Sequence, residues 1–202
     1  MALTVACIVE GHGEVEAVPV VVRRIAQEAL PSLAIKISPP FRLPRSRLLQ
    51  PSELQRTVEL AARRVGNFGG ILILLDSDDD CPASMGHELL ASARKARADI
   101  PIRVVLAKRE FEAWFLAAAE SLRGCRGLAA TLASPSDPEA IRGAKEWLAA
   151  HMSEGHYSAR LDQPALAALF DVSAARRAPS FDKFVRDVTG LLLEASQRTA
   201  EG

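Results

Sequence analysis

Six carboxylates in two short stretches carry the spacing that invites chemistry. Glu10 and Glu14 stand four positions apart in Val9-Glu10-Gly11-His12-Gly13-Glu14, and Asp76, Asp78, Asp79 and Asp80 follow Leu75. Like charges this close repel, and burying them unpaired is costly. A divalent cation relieves both penalties. Oxygen-only donors without a His or Cys ligand pattern favour Mg²⁺ or Mn²⁺ over zinc, so the expected metal ligands are Glu10, Glu14, Asp76, Asp78 and Asp80. Asp76 and Asp78 alternate as in an extended segment and share a face, with Asp79 turned away and Asp80 able to rejoin them. Glu110 and Glu112 would lie about 200° apart around a helix, so at most one faces the site, and Glu112 is the additional acid favoured. Read singly, each acid is a solvated surface group or the end of a strand. Convergence of two acidic segments is what favours a site.

The elements that must position these acids are legible around them. Ile71 to Leu75 is an unbroken aliphatic run after Gly69-Gly70, the mark of a strand buried on both faces, and it ends at Asp76. Leu3 to Val9 is a second such run, ending at Glu10. Leu33 to Ile37 and Ile102 to Ala107 supply two more strands. Between them lie a helix that, because of Pro19, either starts close to Val15 or has bent first turns, and helices from Ser52 and from about Ser84 to Ala98. Ser52 with Gln55 has the form of a capping box. Strict alternation of strand and helix implies an α/β fold: a parallel sheet of about four strands, right-handed crossovers and helices on both faces. Ligands collect at the carboxyl ends of such strands, where Glu10 and Asp76 fall. The remainder is helical near Pro138–His151, Gln163–Phe170 and Ser180–Ser196. The expected organisation is an α/β domain over 1–123 with a helical C-terminal extension over 124–202.

With 202 residues, 49% of them hydrophobic, the chain is long enough for one substantial core. Twenty-five basic residues balance twenty-five acidic ones, which excludes a strongly basic, non-specific nucleic-acid binder; any such contact must use local patches. Cys7, Cys81 and Cys125 are odd in number and lack metal-ligand spacing, fitting reduced thiols. With no signal-like segment or membrane-length apolar run, a cytoplasmic, non-membrane protein is expected. Arg42, Arg45 and Arg47 form a basic cluster in the proline-rich loop Ser38–Gln50, and arginine suits phosphate. Lys108 and Arg109 end the fourth strand, and His12 sits beside Glu10. Arg42, Lys108, Arg109 and His12 are therefore the substrate-binding candidates. Trp114 and Phe115 read as core.

The glutamate at the end of the first strand, followed by Gly11, together with Asp76-Ser77-Asp78 at the end of the third, resembles the Toprim domain of topoisomerases, bacterial primases and overcoming-lysogenization-defect nucleases. The Glu10/Glu14 pair most resembles the nuclease branch. Arg109-Glu110-Phe111-Glu112-Ala113-Trp114-Phe115-Leu116, with Pro40-Phe41-Arg42 and Pro179-Ser180-Phe181, is similar to a family of small Toprim-like bacterial proteins often encoded beside an ATPase. The resemblance implies metal-dependent phosphodiester cleavage of DNA or RNA, with a role in defence against phage or mobile elements. Glu10 would be ligand or general acid/base, Asp76 and Asp78 ligands, and Glu14 the ligand of a second ion. The alternative it implies is a non-catalytic or conditionally active partner subunit of an ATPase.

Overall fold

The computed structural model describes residues 2–201. Its strands are β1 (Leu3–Val9), β2 (Ile35–Ile37), β3 (Phe41–Arg42), β4 (Gly69–Asp76) and β5 (Ile102–Ala107). The helices are α1 (His12–Ala29), α2 (Arg45–Leu48), α3 (Pro51–Val65), α4 (Pro82–Ala96), α5 (Ala113–Ala117), α6 (Ala144–Ala150), α7 (Ala159–Leu169), α8 (Val172–Ala175) and α9 (Pro179–Glu201). The five strands form one parallel sheet in the order β2-β1-β4-β5, with β3 beside the end of β1. The expected α/β fold is what the chain adopts. No helix among the described residues is long and apolar enough to cross a membrane.

Period-two alternation assigns each strand side chain to one of two cores. Val5, Cys7, Val9, Leu72, Leu74, Val105 and Ala107 face one side, where α1 and the later helices cover them. Ala6, Ile8, Ile71, Ile73, Leu75, Val104 and Leu106 face the other, under α3 and α4. The first core runs without a break from β1 and β4 to Phe170, Phe181 and Leu192, so the C-terminal helices share the sheet's own core. Its centre is aromatic: Phe111, Trp114, Phe115, Phe170, Phe181 and Phe184 are fully buried, with Trp114 ring to ring against Phe181 at 5.1 Å and Phe184 at 5.0 Å. Trp114 and Phe115 are core, as their apolar setting implied.

Three local expectations are corrected. The Ser52/Gln55 capping box does not form, because Pro51 occupies the first helical turn and Gln50 is the N-cap; Gln55 instead donates to Ser92 Oγ at 3.4 Å. The Ser38–Gln50 segment is not simply loop, since β3 and α2 lie in it. The C-terminal stretch from Pro138 to His151 is a short 3₁₀ turn followed by α6, broken at Gly143, which adopts φ +72.

The order β2-β1-β4-β5 places a topological switch between β1 and β4. From β1 the chain crosses by α1 to one side, whereas α3 and α4 carry it over the opposite face to β4 and β5. A crevice opens at the carboxyl ends of strands that part in this way. Glu10 and Asp76 stand there.

Candidate functional site

Glu10 follows Val9, which lies opposite Leu74 in the β1–β4 register, so the two acidic strand ends are neighbours. They line a cleft of about 440 Å³ together with His12, Glu14, Lys145 and Arg160. One wall is the start of α1. The other comes from α6 and α7, and the close approach of α1 to α7 requires glycine: a Cβ on Gly13 would fall 2.1 Å from Gln163 Oε1 and 2.3 Å from the Ala159 carbonyl oxygen.

The acids are held differently. Asp76 Oδ1 accepts the Phe111 N–H at 2.8 Å, and Oδ2 stands 4.0 Å from Lys145 Nζ. Its pKa is raised well above the carboxylate range by burial, then by Glu14 and Glu112, with Lys145 opposing. Glu14 Oε2 accepts from the backbone N–H of Glu10 at 2.9 Å and of Gly11 at 3.2 Å, serving the free donors at the start of α1. Burial still drives its pKa up to about 7, offset by those two bonds and reinforced by Glu10 and Glu112. The pKa of Glu10 is raised by burial and by Asp78, with Arg45 opposing; its Oε2 is buried without a hydrogen-bond partner.

Glu112 is fully buried, accepting from Tyr157 Oη at 3.0 Å and Gln163 Nε2 at 3.3 Å. Its second oxygen has no hydrogen-bond partner but stands 3.4 Å from Lys145 Nζ. Glu110 reaches the same lysine at 3.1 Å. Both glutamates therefore converge, contrary to the helical-wheel expectation, because Glu110 precedes the helical turns and the 100° step does not apply to it. Burial depresses the Lys145 pKa, but Glu112, Asp76 and Glu110 outweigh it and hold the ammonium above its ordinary value.

The rest of the acidic run is turned outward and paired. Asp78 has φ +48, which breaks the alternation that would have kept it on the Asp76 face. Arg45 binds Asp78 through Nε at 3.3 Å and Asp80 through Nη2 at 2.6 Å, and donates to the Asp76 carbonyl. Arg109 and Arg142 both hold Asp79, at 2.9 and 2.8 Å, and keep its pKa low. Arg109 is thus tied to the outer loop, not to the cleft. Lys108 lines a different cleft at the β5 edge, and Arg42 is exposed on β3. Of the substrate-binding candidates, His12 alone lines the acidic cleft.

Among the described residues no three His, Cys, Asp or Glu side chains are gathered as a set that could hold a metal ion. By donor type the cleft could nonetheless hold a hard cation: the unpartnered Glu10 oxygen and the raised pKa values of Asp76, Glu14 and Glu112, each driven first by burial, call for positive charge. Glu10 and Asp76 are the open donors, while Lys145 supplies the charge from within. Lys145, Arg160, Tyr157 and Gln163 were not singled out from sequence. They lie in segments legible only as helix or turn, and no spacing ties them to the strand ends.

Residues 9–189 match the family model described as a domain of unknown function (DUF4276). No curated protein and no solved structure matches the chain.

Proposed function

The chain belongs to the DUF4276 family, and we propose that its acidic cleft is a divalent-cation-dependent site for phosphodiester cleavage in nucleic acid. The observation that carries this reading is the buried, unpartnered Oε2 of Glu10 beside Asp76 in a cleft with His12 and Arg160 at its lining. Glu10 and Asp76 would hold Mg²⁺ or Mn²⁺. Such an ion, when bound, polarises a phosphoryl oxygen and lowers the pKa of bound water. Arg160 and His12 offer donors to a substrate phosphate. Glu14, with a pKa near 7, can hold or release a proton at neutral pH, and Glu112 and Glu110 keep Lys145 charged at the cleft. The likeness of the two strand ends to Toprim nucleases supports the same chemistry.

Calorimetric titration of Mn²⁺ into the native protein and into Asp76→Asn tests the site, and incubation with single- and double-stranded DNA and RNA tests the reaction. Binding lost in Asp76→Asn, with Mn²⁺-dependent cleavage lost in parallel, is the expected result. Undiminished binding in the variant, or no cleavage of any of these substrates, overturns it.

A second reading has its own observation: Lys145 already occupies the charge-balancing position and, among the described residues, no three-ligand set is formed. On that reading the chain is a conditionally active subunit, switched on when a partner such as an ATPase draws α6 away. Cleavage appearing only in Lys145→Met, or only with the partner added, selects it.

A further inference from the structure

We propose that the outer edge of β5 is a docking site for an extended peptide of a partner protein, apolar at alternate positions and carrying one carboxylate. This inference does not rest on the chemistry assigned to the acidic cleft. β5 is the last strand of the sheet and, among the described residues, pairs only with β4. The Pro101 and Ala107 carbonyls accept from Ile71 and Ser77 N–H on the β4 side, so alternation turns the backbone groups of residues 104, 106 and 108 outward. One outward group at each end is served by a side chain. The Val104 carbonyl accepts from Lys183 Nζ at 3.1 Å, and Lys108 N–H donates to Ser180 Oγ at 3.1 Å. Leu106, between them, has no such partner among the described residues, and neither has the Val104 N–H, which leaves two N–H groups and one C=O directed off the sheet.

That edge lies at the bottom of a cleft of about 530 Å³. Gly86 and Leu90 of α4 form one wall, and Pro179 and Lys183 of α9 the other. Gly86 keeps the cleft open, since a Cβ there would already stand 3.3 Å from Leu106 Cδ1. The span from Val104 to Lys108 is about 13 Å, the length of four to five extended residues. An unpaired backbone donor and acceptor on a strand edge are matched by another extended backbone, and the apolar walls take its alternate side chains. Lys183 is already bound to Asp187, and the Glu139 carboxylate in the lining accepts the Ser180 N–H at 2.9 Å. The Lys108 ammonium has no ion-pair partner among the described residues. It is the charge that selects a carboxylate on the occupant. A second copy is a poor occupant, because its own β5 edge is recessed between the same two helices.

The probe is a panel of fluorescein-labelled octapeptides alternating valine and serine, with a single glutamate, or in a matched set a single lysine, moved through the sequence. Fluorescence polarisation with the full chain should find glutamate peptides bound about tenfold more tightly than their lysine counterparts. Lys108→Glu should reverse that preference, and Gly86→Leu should abolish binding. Circular dichroism melting confirms that both variants fold. In the unmodified chain, the bound peptide should slow hydrogen exchange at the Leu106 N–H while leaving Val105, which faces β4, unchanged. The proposal is overturned by a panel in which nothing binds, by equal binding of both charges, or by Leu106 exchange that ignores the peptide. Leu106 exchange that slows with protein concentration alone, together with a dimer in sedimentation, assigns the edge to a second copy and overturns it as well.

Discussion

Replacing Lys145 with methionine isolates the charge balance on which the cleft depends. The methionine retains most of the apolar stem and removes the ammonium that stands 3.1 Å from Glu110, 3.4 Å from Glu112 and 4.0 Å from Asp76. At 3.4 Å, an effective dielectric constant of about 20 gives roughly 5 kcal/mol of attraction for one such pair. The lysine side chain is 40% exposed and the carboxylates can take up protons, so solvent screening and protonation reduce the net loss to about 2 kcal/mol. The sign with pH follows from the direction of the shifts. Asp76, Glu112 and Glu14 all have folded-state pKa values raised above their ordinary ones, so the native state binds protons more tightly than the unfolded chain and its stability falls as these groups ionise. Lys145 offsets that fall only where they are charged. Urea unfolding near pH 8 should therefore show the full loss in Lys145→Met, and a smaller loss near pH 4.5, where Asp76, Glu112 and Glu14 take up protons. Added Mn²⁺ should restore part of the stability near pH 8 if the open donors take a cation. An equal loss at both pH values would show that the lysine acts by packing, and no loss near pH 8 would refute the charge argument outright.

Glu14→Gln keeps an acceptor for the Glu10 and Gly11 N–H groups while removing a charge whose pKa is pushed to about 7; thermal melts should show a gain of about 1–2 kcal/mol near pH 8 and none near pH 4.5. Gly13→Ala should lower the urea midpoint by the equivalent of about 2–3 kcal/mol, because its methyl meets the Ala159 carbonyl and Gln163 and forces α1 from α7. Arg45→Ala frees Asp78, Asp80 and the Asp76 carbonyl; about 1 kcal/mol of stability should go. Hydrogen exchange at the Asp80 N–H, now bonded to the Ser77 carbonyl, should quicken.

How far the sequence could be read depended on whether an element had a local period. The aliphatic runs of β1, β4 and β5 identify themselves, and the alternation of strand and helix carries the parallel sheet with it, so Glu10 and Asp76 could be placed as neighbours in advance. Asp78 and Asp80 could not be followed, because one positive φ at Asp78 undoes the alternation on which their placement rested. Arg45 was visible as part of a basic cluster, but its task of holding the acidic loop depends on a one-turn helix within a segment that composition marks as loop. Lys145 was beyond reach for a different reason. Its meaning lies wholly in contacts made across more than thirty intervening residues, and a lysine on a short polar helix has no pattern that announces them.

The division of charge between the two halves of the chain has a consequence for biosynthesis. Glu10, Glu14, Asp76, Glu110 and Glu112 all leave the ribosome before Lys145 does, and Arg160, Gln163 and the aromatic Phe170, Phe181 and Phe184 follow later still. A nascent sheet that closed on its own would gather its carboxylates at one rim with no ammonium to meet them, over an aromatic half-core still open to water. The rim of this molecule is thus completed from its tail, and a chain cut short after β5 would expose a repelling acidic lip where the intact protein has a balanced cleft.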